Sequence, residues 1–271
     1  MYSPILVFDI ESITDIQVGQ QLYGLNLNNE DAEQALLKIR RQESGQDFQR
    51  LFLHEIVCLS GFWYHNNEIK LFSWTQEHYS EAEIITKFFK IFQKFQPKLL
   101  SWNGSQYDLP LLMIRAMKHG LSAVEFWDQG ELLQNKRYNN YLHRYHQQHI
   151  DVMDALAMYH QKHFYKMDDI AQVFGLAGKG EESGHIVSDY VKQNKWQQLS
   201  SYCEGDVINT WLIYLRFLLL KGQLSLEQHS YLVRQTIADV QQRPQLSEFL
   251  KRWQENAQQN EFSRQFFSDS V

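Results

Sequence analysis

Residues 5–10 read Ile-Leu-Val-Phe-Asp-Ile, an apolar run broken only by Asp9 and followed at once by Glu11. A run of this kind, with no alternation between apolar and polar positions, is the pattern of a strand covered on both faces. The chain therefore needs a sheet with helices packed over it. The remainder supplies them. Residues 55–64 and 68–74 read as two strands joined by a turn at His65, Asn66 and Asn67. Residues 80–95 carry a helical stripe of Ile84, Ile85, Phe88, Phe89, Phe92 and Phe95, started by a capping box of Ser80 and Glu83 and ended by Pro97. A strand at 98–102, a helix at 109–118 with Pro110 in its first turn, a strand at 150–154 and a long helix at 198–220 follow. Strands first, then strand and helix in alternation, predict an α/β fold, a mixed β-sheet flanked by helices, rather than a β-sandwich.

With 271 residues, 44% apolar and 14% aromatic, the chain can fill one large core. The expected division is a main domain at 1–220 with an insertion at 14–50, and a C-terminal helical extension at 221–271. The insertion, where the apolar pattern weakens apart from a short helix at 32–41, is expected as a mobile cover. The extension offers helices at 226–242 and 246–258 as an appendage expected to pack on the main domain, and the last ten residues are expected to fray. A formal charge of −6 argues against a broadly basic surface that wraps nucleic acid, while leaving room for local phosphate contacts. Cys58 and Cys203 are the only cysteines, which excludes a disulfide scaffold and a thiolate-built zinc site, and both read as small packing residues. No secretory pattern opens the chain, and the longest apolar segment is interrupted by Arg216, so no membrane span and a reducing, cytoplasmic setting are expected.

Asp9 and Glu11 lie two apart on a strand, so both side chains leave one face about 6–7 Å apart. Asp108 stands where a strand-like segment turns into a helix, and Asp206 lies within the long helix one turn after Tyr202. Each has an ordinary structural reading: a solvent-facing strand end, a helix N-terminal carboxylate, an ion pair. As a set, four carboxylates brought together repel one another and are costly to desolvate, and two divalent cations neutralise them. Oxygen ligands favour Mg2+ or Mn2+, and two such ions about 4 Å apart serve hydrolysis of a phosphodiester.

Asp9-Ile10-Glu11, the stretch Asn103-Gly104-Ser105-Gln106-Tyr107-Asp108 and Tyr202-Cys203-Glu204-Gly205-Asp206 resemble, in order, the three motifs of DEDDy 3′-5′ exonucleases of the ribonuclease H-like superfamily. They are most similar to predicted exonucleases related to the proofreading domain of B-family DNA polymerases. The resemblance covers roughly residues 4–220 and implies a ribonuclease H-like fold. It assigns Asp9, Glu11, Asp108 and Asp206 to a two-metal centre, with Asp9 bridging, and gives Tyr202 the orientation of the attacking water. It further implies a single-stranded nucleic acid substrate, DNA by resemblance alone, cut from its 3′ end. Ile10, Ser12 and Asn103 would neighbour the terminal nucleotide, and Asp151 would support the centre electrostatically unless it only ends a strand or caps a helix.

Lys136, Arg137, Tyr138, Tyr141, His143, Arg144, Tyr145 and His146 form a basic and aromatic run suited to stacking on bases and meeting phosphates, or equally to a solvated linker. His143, His146 and His149 recur every three residues, a spacing that also suits an exposed loop without metal. Lys179 between Gly178 and Gly180 falls short of a phosphate-binding glycine loop and reads as a surface turn. Two rivals to the exodeoxyribonuclease stand beside it: an exoribonuclease, and a non-catalytic nucleic-acid-binding or protein-interaction module on the same fold. A replication or repair protein as partner is not visible in the sequence.

Overall fold

The computed structural model describes residues 3–180 and 186–267. Five strands form one mixed sheet: β1 (Ile5–Thr14), β2 (His54–His65), β3 (Glu68–Thr75), β4 (Lys98–Ser101) and β5 (His149–Asp151), in the order β3-β2-β1-β4-β5. β1 runs antiparallel to β2 and parallel to β4, which is itself parallel to β5. The β2–β3 hairpin closes at Asn66 and Asn67, whose φ values of 51° and 63° are the left-handed pair that a tight two-residue turn needs and that Asn tolerates.

Alternation along β1 divides its side chains between two cores. Leu6, Phe8 and Ile10 face α3 (Glu81–Phe95) and α4 (Asp108–Lys118), where the phenylalanine stripe of α3 packs. The Ser80–Glu83 capping box is formed as the sequence predicts, and Gln96 ends α3 in the left-handed conformation before Pro97. Ile5 and Val7 face the other layer, dominated by α9 (Trp196–Leu220). This helix is buried on nearly every side between Tyr202 and Leu215, not on one face alone, because the sheet lies on one side of it and the C-terminal helices on the other. Among the described residues, no helix is long and apolar enough to cross a membrane.

Three expectations are corrected. The 14–50 insertion holds two capped helices, α1 (Ile16–Tyr23) and α2 (Asn29–Ser44), with Asp15 and Asn28 accepting at their N-termini. It is anchored at Asp15, which is ion-paired to Arg115 and Lys118 of α4. The strand predicted at 150–154 stops at Asp151, whose side chain caps α6 (Val152–Leu156). The C-terminal helices α10 (Leu226–Gln241) and α11 (Ser247–Gln258) pack on the main domain as expected, sharing its core through Val240, Phe249 and Trp253 and through Leu246 between them. Of the tail expected to fray, Ser263 and Phe266 are buried near α12 (Glu261–Arg264), and residues 268–271 lie outside the described set. The smaller helices α5 (Val124–Trp127), α7 (Met167–Val173) and α8 (Ile186–Lys192) fill the connections.

Candidate active site

Asp9 and Glu11 continue the alternation of β1 toward α9, and a β-bulge immediately after Glu11 shifts the register to β2. From α9, Cys203 approaches them: its Sγ lies 3.6 Å from Asp9 Oδ2 and 3.5 Å from the Asp9 carbonyl oxygen. One oxygen each of Asp9 and Glu11 and the Cys203 sulfur all lie within 4.8 Å of one another, a group that could hold a divalent metal. The thiol was expected only to pack. It is buried as expected, and burial and nearby carboxylates push its pKa well up, so it stays protonated and the ligand chemistry rests on oxygen.

Asp108 comes from the opposite side as the first residue of α4, and its Oδ1 accepts a hydrogen bond from Ile10 N–H at 3.1 Å. The preceding turn is held by Asp151, which accepts from Asn103 N–H at 2.9 Å and Ser105 N–H at 3.0 Å. Asn103 has φ 62°. A Cβ at Gly104 would strike the Ser101 side chain. One buried carboxylate thus fixes the loop that carries another.

Lys179, read from sequence as a surface turn, reaches inward instead. Its Nζ lies 2.5 Å from Asp206 Oδ2 and donates to the Tyr202 hydroxyl at 3.0 Å. The loop is pinned by Asp168, which accepts from Lys179 N–H at 2.7 Å, and by Asn209 of α9, which bonds Gly178 through both N–H and C=O. Gly178 has φ 63° with Asp168 against its Cα, so any side chain there would be strained and obstructed. The Gly-Lys-Gly spacing was visible in the sequence, but not the long-range partners that turn the lysine into the site.

The carboxyl groups sense one another. Burial, then Asp108, Asp206 and Glu11, hold the Asp9 carboxyl far above the usual range. Burial pushes Glu11 up to about 8, with Asp206 and Asp108 adding to it and Lys179 opposing. Asp108 rises to about 7, chiefly by burial, while its bond from Ile10 pulls the other way. Tyr202 is raised by burial and by Glu11 and stays a neutral phenol. Lys179 stays charged against its own burial because Asp206, Glu11 and Asp9 surround it. An oxygen-rich, buried, mutually repelling set fits hard divalent cations, which would relieve the repulsion that one ammonium relieves only in part.

The remaining candidates separate. Ile10 points into the α3–α4 core and contributes only its N–H. Ser12 Oγ bonds the Tyr107 hydroxyl at 2.5 Å and His54 Nδ1 at 3.1 Å, and Phe48 stacks near both rings at 4.8 Å from His54 and 5.6 Å from Tyr107. This polar and aromatic group, next to Glu11 and Asp108 along the chain, went unnoticed in the sequence because its members are scattered. Lys136 is corrected: it is buried, with its ammonium 4.6 Å from the centre of the Tyr141 ring, and burial lowers its pKa. Arg137 and Tyr138 are exposed. Arg144 is engaged through two nitrogens by Asp154. His143 and His146 stack at 4.3 Å, whereas His149 is buried on Ser101 Oγ, so the three histidines do not converge on one point. A cavity of about 560 Å³ joins this run, through Tyr141, Arg144 and His146, to Ser105, Gln106 and Asp151 beside the acidic centre.

A mixed sheet of this order, with carboxylates on its central strand, defines a ribonuclease H-like α/β domain with C-terminal helices. The family described as predicted 3′-5′ exonucleases related to the exonuclease domain of PolB matches residues 46–253, and the chain belongs to it. The matched span contains Asp108, Lys179, Tyr202 and Asp206 and begins after β1. In fold, the chain is similar to the family B DNA polymerase from the hyperthermophilic archaeon Pyrobaculum calidifontis, with a TM-score of 0.52 and 15% identity over 95% of this chain. It spans 29% of that polymerase chain. A search of curated proteins finds no match.

Proposed function

We propose that this chain is a divalent-metal-dependent 3′-5′ exonuclease that hydrolyses the last phosphodiester of single-stranded DNA and releases nucleoside monophosphates. The observation that carries the reading is that Asp9 and Glu11 on β1 both feel the carboxyls of Asp108 on α4 and Asp206 on α9, while Lys179 joins Asp206 to the Tyr202 hydroxyl. Two ions of the magnesium or manganese kind, when bound, would supply the charge neutralisation and Lewis acidity that phosphodiester hydrolysis needs. Asp9, Glu11, Asp108 and Asp206 would hold them, and Asp9, which feels all three other carboxyls, is the residue suited to serve both.

Tyr202 keeps its proton, so its duty is to orient the attacking water, not to deprotonate it. Lys179 fixes that hydroxyl and Asp206 together. Ser12, Tyr107, His54 and Phe48 form a wall suited to the terminal nucleotide, with Asn103 on the adjoining turn. Arg137 and Tyr138 are free for the strand. Asp151 acts through the turn it braces. Preference for DNA, a replication or repair partner, and a cytoplasmic setting in which Cys58 and Cys203 remain thiols extend the same reading.

The test is a 5′-labelled single strand of DNA, and one of RNA, incubated with Mg2+, Mn2+ or excess chelator. A ladder shortening from the 3′ end only with metal is expected; no product under any metal sinks the proposal. The Lys179–Asp206 pair favours one rival, a binding module in which the ammonium serves in place of a metal. Saturable binding without product, unchanged by chelator, would establish that rival. Tyr202→Phe is expected to slow kcat on the order of 10²-fold, the cost of a misplaced nucleophile, with KM little changed. A wild-type kcat would remove the water-orienting role.

A further inference from the structure

A second cavity, of about 330 Å³, opens between α9 and α11 on the other flank of Tyr202. Tyr202, Asp206 and Lys179 line one side of it, and Gln245, Glu248 and Arg252 the other. Arg252 is out of place there as a structural residue. Its Nε is buried and has no hydrogen-bond partner among the described residues. Glu248 stands four residues before it on the same helix, the spacing at which ion pairs form, yet among the described residues no ion pair joins them. The arginine stem instead lies along Gly180, where a Cβ would come within 3.1 Å of Cδ and 3.2 Å of Nε. Gly180, at φ 69°, thus leaves the guanidinium beside the loop that carries Lys179. A buried, unpaired guanidinium N–H is costly to maintain and is satisfied by an anion.

We infer that Arg252 is a phosphate anchor: its planar fork binds oxyanion oxygens of a phosphate entering this cavity, with Lys179 as the second cation on the same wall. The inference rests on the exonuclease reading, which supplies the phosphate in two forms, a linkage of the bound strand or the 5′-phosphate of the released nucleotide. It gives the C-terminal helices a task at the site besides packing.

The experiment uses the full chain degrading 5′-labelled single-stranded DNA over a range of salt, with deoxyadenosine 5′-monophosphate as competitor. Arg252→Gln is expected to raise KM, or the competitor's inhibition constant, about tenfold, the scale of one charge-assisted hydrogen bond. kcat should stay within about twofold, and melting temperature should be unchanged. The slope of log KM against log salt should fall by about 0.7, one phosphate contact on a single strand, if the strand supplies the phosphate. If the released nucleotide supplies it, the inhibition constant moves and the slope does not. Arg252→Lys, which keeps the charge, should recover part of the loss. Arg252→Met, which keeps the stem on Gly180, replaces the glutamine variant if that fails to fold. Wild-type hydrolysis with KM, slope and inhibition constant all unchanged in the folded variants overturns the anchor alone. Absence of hydrolysis by the wild type removes the exonuclease reading and the anchor with it.

Discussion

Asp9→Asn is expected to lose turnover and gain stability in the same molecule. Activity on single-stranded DNA should fall on the order of 10³-fold, since the residue proposed to touch both ions would no longer offer a charged oxygen. The metal-free fold should melt higher than wild type. Asp9 is held far above its ordinary value of 3.8, chiefly by burial, so above that value the folded chain retains more proton at this position than the unfolded chain does. Stability then falls as pH rises, because the native state is the one holding more protons. Glu11, raised from 4.5 to about 8, and Asp108, raised from 3.8 to about 7, act in the same direction over the same interval. Asparagine removes the Asp9 share. Its advantage should vanish below about pH 4, where the acid is protonated in both states, and grow as pH rises above that. Thermal melts with chelator across that range, beside turnover with Mg2+, read both effects. A variant that melts below wild type at pH 8, or keeps turnover within tenfold, contradicts the account.

Arg115→Met should destabilise the fold by about 3–5 kcal/mol, the range for stripping one partner from a buried charge network. The guanidinium is 1% exposed and donates to Asp15 Oδ2 at 2.8 Å and to Glu81 at 2.7 and 2.6 Å. Methionine fills the volume and leaves two buried carboxylates, one still paired by Lys118 and the other by His119. The damage spreads because Asp15 also caps α1, and Glu81 also accepts from Ile56 N–H of β2 at 2.8 Å. The wild-type Asp15 carboxyl, despite burial, lies below its ordinary value through bonds from Lys118, Val18 and Arg115. It therefore contributes stability above its unfolded pKa that is lost as pH falls through its folded one. In Arg115→Met that acid-side loss should begin at a higher pH. Adding Asp15→Asn and Glu81→Gln should recover much of the deficit, since an apolar or neutral set is cheaper than a broken ionic one. Urea unfolding of the single and triple variants measures this; a single-variant loss below about 1 kcal/mol would show that the network carries little.

What could be read from the sequence was what neighbours in the chain decide. The two-faced run of β1, the asparagine turn after β2, and the Ser80–Glu83 cap and Phe stripe of α3 are each settled within a few residues and each appears in the structure, although β1 continues past Ile10 to Thr14. So is the carboxylate spacing of Asp9 and Glu11, because strand geometry alone puts them on one face. What could not be read depends on partners far along the chain. Lys179 is a turn residue until Asp168 and Asn209 pin its loop and Asp206 draws its ammonium inward. Lys136 and Arg144 look like phosphate contacts until Tyr141 covers the first and Asp154 takes the second. The 14–50 segment looks loose until Arg115, a hundred residues later, is seen holding Asp15.

The order in which the core is assembled has a practical meaning for anyone dividing this chain. The motifs end on α9, which invites a cut near residue 220. Yet Trp211 of that helix bonds Thr236 of α10, Asn256 of α11 holds the carbonyl of Leu176, and Phe249 lies over Gly205 between the tyrosine and aspartate of the third motif. A fragment trimmed to its recognisable signature would bare the back of the helix that carries its third motif to water. The smallest working unit is set by that shared interior, not by the motifs.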